Sequence, residues 1–496
     1  MQRSAGHVWE SCRLRGRRPK AAGFPPAPSW RSRPSPRLRR KLAIKVGADG
    51  YRLLAPIGMI GYGIVEQSLA LGLGARPHMV GADGGSVDAG PYYLGSGKSF
   101  TSRELVTRDL ALCLSAAHEL GIPFVVGSAG GAGGDPHLEF ALECLRAAVR
   151  QEGLTGLRVA LVHAEQDRAR VHEWIGRGGV ESFGGSEPTA ADVDACDRIV
   201  AQMGIATVVR ALEEEVDVVL AGRASDVAIF AAPAVRAGGD PALAIHLGKV
   251  IECGAHCAEP ASGRDAILAE LFDDHFRLWP PNPTRRCTAE AVAAHMLYEN
   301  THPYRLAEPD GVCDLSDAVV EAVDDRTVRA SGARFEPAER LSLKLEGAAQ
   351  IGYRSIVIGG MRDSRLVAAV DHVLEVVEEA VAQSLGGSEY QLSFRVYGRD
   401  GVLGLCEPEV TTPRELGVLC EAVAPTPELA HAVAQAAESA LITAPYPGGI
   451  TATGNLAVPF SPLVVDVGPA YEWRVFWLAH PTQDDKELFP VEVVEL

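Results

Sequence analysis

Between Tyr51 and Gly222 the chain repeats one pattern: a short apolar run, a polar loop, then an amphipathic segment of helical length. His78–Asp83, Ile122–Gly127, Arg158–His163 and Asp217–Gly222 read as strands. A helix is expected from about Ser102 to Leu120, and a second opens at Asp135-Pro136. There Asp is expected as the N-cap and Pro as the first helical residue. Strands separated by helices of ten or more residues cannot be hairpins; the connections are crossovers, and crossovers make parallel pairs. The expected fold class is therefore α/β, with a doubly wound, mainly parallel sheet.

After a mostly helical stretch, roughly 225–300, the pattern changes. Thr327–Gly332, Leu341–Leu345 and Tyr353–Ile358 alternate with period two, the mark of antiparallel strands. A helix from about Leu366 to Ser384 follows, then strands at Leu392–Tyr397 and about 416–424, a helix from Pro427 to Leu441, and a strand at Trp473–Leu478. This divides the body into a Rossmann-like α/β domain over 46–365 and a smaller α+β domain over 366–496. Residues 1–45 stand apart as an Arg- and Pro-rich tail, expected to be disordered and set aside from the fold. The tail has no apolar stretch of the kind a secretory signal needs.

Charge narrows the partners. The 496 residues carry 47 Lys and Arg against 64 Asp and Glu, a net charge of −17. Thirteen of the basic residues fall in 1–45, beside only Glu10, so the remaining body is strongly acidic. Nucleic-acid binding needs clustered Lys and Arg, and the body lacks them. No apolar run reaches the roughly 20 residues of a membrane span. The ten cysteines are scattered without a CxxC pair, as in a reduced cytoplasmic protein. The one cluster, Cys253-Gly-Ala-His256-Cys257, would share a face only on a helix, and no second ligand pair matches it.

Ligands of open α/β sheets bind where loops leave the carboxyl ends of the strands. After the first of these strands come Asp83, Ser86, Asp88 and Tyr92; after the second come Ser128, Gly130, Gly131, Asp135 and His137. His163, Glu165 and Asp167 follow the third, and Arg223, Ser225 and Asp226 the fourth. Two carboxylates five apart on a glycine-rich loop suit a Mg²⁺-type cation or a division of acid and base work. The same two residues also suit plain turn-capping. Ser-Ala-Gly-Gly-Ala-Gly-Gly before a helix offers backbone N–H groups to an anion, although it is not the dinucleotide fingerprint. Leu94-Gly-Ser-Gly-Lys98-Ser99 lacks the leading glycine of a P-loop and is given no nucleotide role. Arg223 suits bidentate grip of a carboxylate. Glu299 and Asn300 form another polar cluster before a proline turn. No GxSxG elbow and no HExxH occurs in the sequence.

The runs GADGGSVDAGPYYLGSGKSF, VVGSAGGAGGDPH, LAGRASDVAIFAAPAVRAG, HMLYENTHPY and YPGGITATGNLAVPFSP together resemble the acyclic terpene utilisation protein A family along roughly 57–480. The resemblance implies a cytoplasmic bacterial catabolic protein, encoded among acyl-CoA pathway genes or beside a small companion subunit, with no assigned reaction. Terpene-pathway members carry a C-terminal extension that this chain is read as lacking, which tells against a terpene substrate. The expected function is a lyase-like enzyme adding to or eliminating from a small carboxylate or an acyl-CoA thioester. Its catalytic residues would be Asp83, Asp88 and Glu299, with Ser86, Tyr92, Gly130, Gly131, Asp135, Arg223, Asp226 and Asn300 binding substrate. CoA would enter as part of the substrate, and the metal would be at most a weakly held Mg²⁺-type ion. A nicotinamide-linked oxidoreductase with bound NAD(P) is a third option, and the chain would form a homo-oligomer. The rival is a noncatalytic metabolite-binding or scaffold subunit.

Overall fold

The computed structural model describes residues 45–183, 187–408, 413–450 and 453–496. The expected basic tail, save Lys45, lies outside them. The described chain is a mixed α/β structure built on a ten-stranded sheet. Across the sheet the strands run Val319–Ala322, Val328–Ser331, Phe276–Trp279, Ile267–Leu271, Tyr51–Ala55, Met79–Asp83, Phe124–Gly127, Val218–Ala221, Arg158–Val162 and Val491–Glu495.

The five strands from Tyr51–Ala55 to Arg158–Val162 are parallel, as the crossover argument requires. The sheet is not mainly parallel, however: four pairings are parallel and five antiparallel. Two of the five antiparallel pairings are hairpins, and the other three join strands distant in sequence. Residues 272–275 join one pair of strands and 323–327 another, and connections that short can only return antiparallel. The first hairpin also interrupts the stretch expected to be mostly helical.

Alternation along each parallel strand sorts side chains onto two faces. Leu53, Met79, Val125, Val219 and Ala160 enter one apolar cluster, with Ile229, Phe230 and Leu247 from the helices Asp226–Arg236 and Pro241–Ile251. Leu54, Val80, Phe124, Leu220 and Leu161 enter the other, with Leu110, Leu114, Leu142 and Leu145 from Arg103–Leu120 and Asp135–Glu152. Helices thus cover both faces of the parallel strands. The second of these helices starts one residue earlier than expected: Gly134 is the N-cap, and Asp135 and Pro136 are already helical.

A six-stranded antiparallel sheet follows, ordered Gln391–Tyr397, Leu416–Ala424, Leu343–Met361, Val464–Ala479, Val180–Ser182, with Arg198–Ala201 also paired to Leu343–Met361. The two expected strands at 341–345 and 353–358 are one 19-residue strand, and register shifts against Val464–Ala479 interrupt its pairing. The helix expected over 366–384 is two, Ser364–Ala368 and Val370–Leu385. Val373, Val377 and Val381 recur at helical spacing and pack with Val433 and Ala437 on one face of this sheet.

The loop after the first strand is organised by one buried carboxylate. Asp109, fully buried on Arg103–Leu120, accepts from the N–H groups of Gly61, Gly63 and Ile64 at 3.0, 2.9 and 3.0 Å. Arg108 bonds the same carboxylate at 2.9 Å. Asp109→Ala strands three buried donors, so urea denaturation is expected to show a loss of about 3 kcal/mol or more, with Asn recovering part of it.

Candidate functional site

Met79–Asp83, Phe124–Gly127 and Val218–Ala221 are neighbouring parallel strands, so their three loops leave one edge side by side. Backbone bonds stitch them together: Gly84 N–H donates to Gly127 O at 2.7 Å, Ala129 N–H to Ala221 O at 2.8 Å and Arg223 N–H to Gly133 O at 2.9 Å. This closeness is why glycine is required. A Cβ on Gly130, where φ is 78°, would lie 2.0 Å from His137 O, and one on Gly85 would lie 2.2 Å from Gly131 O. Gly130 and Gly131 therefore serve loop packing and sit buried. The anion position at the start of the following helix is filled by the protein itself, since Glu165 Oε1 accepts from Asp135 N–H at 2.8 Å.

Beside these loops lies a group of charges, Asp83 and Glu252 buried and Asp226 and Glu308 half-buried. Asp83, at the end of its strand, accepts from Gly85 N–H at 3.2 Å. Burial pushes its carboxyl well above the usual range, and the charge of Asp226 pushes it further. Asp226 opens the helix Asp226–Arg236, and its Oδ1 is shielded from solvent without a hydrogen-bond partner. Burial raises it to about 6, against the pull of Arg223 and Lys249. Glu308, from the strand Arg305–Glu308, hydrogen-bonds Ser225 and has an unpartnered Oε2; burial lifts it to about 7. Glu252 lies 2.6 Å from Lys249 Nζ, is buried with it, and is raised to about 8 by burial.

Arg223 is buried in this group but does not stand free to grip a substrate. Its Nε and Nη2 donate to the two oxygens of Glu346 at 2.7 and 3.2 Å, and its Nη1 to Ser128 Oγ and Ala224 O at 3.2 and 3.1 Å. Glu346 also pairs with Lys344 Nζ at 2.9 Å, and the two cations hold it below its ordinary value despite burial.

The other expected site residues divide. Asp88 and Glu299 are exposed, and the charge of each raises Asp226. Glu299 hydrogen-bonds Tyr298, whose ring lies 5.8 Å from Lys249 Nζ. Ser86 donates to Asp88 Oδ2 at 2.7 Å and accepts from its N–H at 2.9 Å, a local turn. Tyr92 accepts from Lys98 Nζ at 3.3 Å and meets Tyr471 edge-on. Asn300 bonds Met296 O, closing the helix before it. Asp135 pairs with His163 Nδ1 at 2.8 Å, one parallel strand further along the sheet.

Local sequence pattern does not single out Lys249, Glu252, Glu308 or Glu346. One signal existed, a lysine inside the apolar helix Pro241–Ile251. The Cys253–Cys257 segment is a turn after that helix, not a helix itself, and the Cys257 thiol meets that of Cys287. Among the described residues no group of three or more His, Cys, Asp or Glu side chains is arranged to hold a metal ion. None of the described helices is long and apolar enough to cross a membrane.

No curated protein and no solved structure matches the chain. A family model does, over residues 99–266 and 280–465, and these segments contain Arg223, Asp226, Lys249, Glu252, Glu308 and Glu346. That match covers most of the chain, and it shows that this protein belongs to the acyclic terpene utilisation family, AtuA, with the role in acyclic terpene catabolism that the family implies.

Proposed function

We propose that this chain is a catabolic enzyme of the addition and elimination type, with Asp226 as base and Asp83 as acid. The observation that carries this reading is the pair itself. The charge of Asp226 raises the proton affinity of the buried Asp83, and among the described residues the shielded Oδ1 of Asp226 has no hydrogen-bond partner. Environments that split two like groups in this way assign acid and base. Asp226, at about 6, is mainly ionised at neutral pH, while burial and the charge of Asp226 favour the protonated form of Asp83.

In the elimination direction Asp226 takes a proton from the carbon next to a substrate carbonyl. The electron pair of that bond becomes a carbon–carbon double bond, and the β-oxygen leaves with the proton of Asp83 as water. Addition of water is the reverse. The substrates this suits are a small carboxylate or an acyl-CoA thioester, the class expected from the sequence. Arg223 is tied to Glu346 and is assigned to holding the loop in place, not to the substrate.

Purified protein assayed for hydration of unsaturated acyl-CoAs and dicarboxylates is expected to turn over unaided. Asp226→Asn should lower kcat at least 100-fold without unfolding the chain. Activity that appears only with a companion subunit would favour the scaffold reading. In the wild-type chain kcat/KM should rise with pH through about 6 and level off above it, because the base must be ionised.

Stability should respond with the opposite sign. A carboxyl raised from 3.8 to about 6 on folding stabilises the fold below its ordinary value and loses that contribution as pH rises through about 6. Asp226→Asn removes the penalty, so its Tm should exceed the wild-type value at pH 8 by roughly 1–4 °C. The gain should vanish near pH 4, as differential scanning fluorimetry across pH would show.

A further inference from the structure

We propose that the strand Gln391–Tyr397 pairs with the same strand of a second copy of this chain, antiparallel about a two-fold axis at Phe394, and so forms a dimer.

The edge itself carries the inference. Gln391–Tyr397 ends the six-stranded sheet and is paired on one side only, all seven residues in unbroken register with Leu416–Ala424. Among the described residues no backbone hydrogen bond reaches 391–395 from the other side. The outward N–H and C=O groups of such a strand are a ready template for another strand. Monomers blunt their edges with short strands, proline, bulges or charge. The ends of the other strand rows are blunted in this way. Val180–Ser182 has three residues, Val319–Ala322 carries Glu321, and Val491–Glu495 carries Glu492 and Glu495. Gln-Leu-Ser-Phe-Arg-Val-Tyr has no proline, no bulge and a single charge, Arg395.

That charge favours a second copy as the occupant. An antiparallel strand is self-complementary about a two-fold axis, and the side chains select the register. With the axis at Phe394, Gln391 stands opposite Tyr397, Leu392 opposite Val396 and Ser393 opposite Arg395, so no like charges meet. On its own sheet Ser393 is paired with Glu421, and residues in one cross-strand row share a face. Arg395 of each copy therefore joins a row that holds Glu421 of the other. Arg395 is exposed and has no carboxylate partner among the described residues, while Glu421 bonds Arg354 through Oε1 alone. Opposite charges placed in this way attract.

Apolar surface lies along the same edge. Val396 packs with Val373, Val377 and Val381 of the helix Val370–Leu385, and Leu374, Leu385, Leu392 and Phe394 are only partly buried against that cluster. Asp371, one turn before Leu374, accepts from Arg399 just beyond the strand at 2.5 Å, so that side of the helix faces the edge. A second copy covers what these four side chains still expose, which adds to the strand pairing.

The test is sedimentation of the full chain at micromolar concentrations, where it is expected at twice the chain mass. Arg395→Glu, at an exposed position, should stay folded by circular dichroism and raise the dimer dissociation constant tenfold or more. Gln391→Cys with Tyr397→Cys, in a chain also carrying Cys12→Ser and Cys406→Ser, should become a covalent dimer under mild oxidation. The two positions are opposed across the axis and within disulfide reach, whereas in one chain they lie about 20 Å apart along the strand. A wild-type chain that stays monomeric would overturn the inference and leave the edge to the strand of a different protein. Absence of the cross-link, or a dimer indifferent to Arg395→Glu, would each overturn it and place the interface elsewhere.

Discussion

The ion pair between Arg223 and Glu346 is the interaction on which the arrangement at the strand ends depends. Its partners are 123 residues apart in sequence, and each is buried to within a few per cent. One belongs to the loop after a central parallel strand of the large sheet, the other to the longest strand of the antiparallel sheet. The pair is bidentate, and its remaining hydrogen-bonding capacity goes to Ser128, Ala224 and Lys344. Satisfaction of that completeness is what allows two charges to remain in a low-dielectric interior. Removing Glu346 would leave the buried guanidinium of Arg223 without its charge partner, whereas without Arg223 Glu346 would keep only Lys344.

The neighbouring carboxyls show the contrasting case. Asp83, Asp226, Glu252 and Glu308 all lie where burial disfavours their charge, and two of them keep an oxygen with no partner. A fold selected for stability alone would fill such positions with apolar side chains. Groups that cost stability and titrate near neutrality are found where proton transfer is the task. The two kinds of buried charge therefore divide the labour: Arg223 and Glu346 fix the loop, and the carboxyls beside them carry the chemistry proposed.

Much of this was legible in local pattern. The strands Met79–Asp83, Phe124–Gly127, Arg158–Val162 and Val218–Ala221 fall within a residue or two of where apolar runs place them. Period two and period 3.6 are properties of short segments, so they survive without knowledge of the neighbours. The rule that loops at strand ends gather polar groups pointed to Asp83, Arg223 and Asp226, which the structure brings together. It pointed equally to Asp135 and to the glycine run, which the structure places elsewhere or buries, because the rule contains nothing about which strands are adjacent.

Sequence by itself determined four of the parallel strands, their crossover connections and the family, because each is written in contiguous residues. Tertiary structure decided that Val218–Ala221 inserts between Phe124–Gly127 and Arg158–Val162, and so which loops share an edge. It also decided what the charges do. Arg223 reads as a substrate clamp until Glu346 is found against it, and Glu308 carries no sequence signal until it meets Ser225 and Asp226. A charge acquires its role from the partners that surround it, and those partners come from segments brought together only by packing.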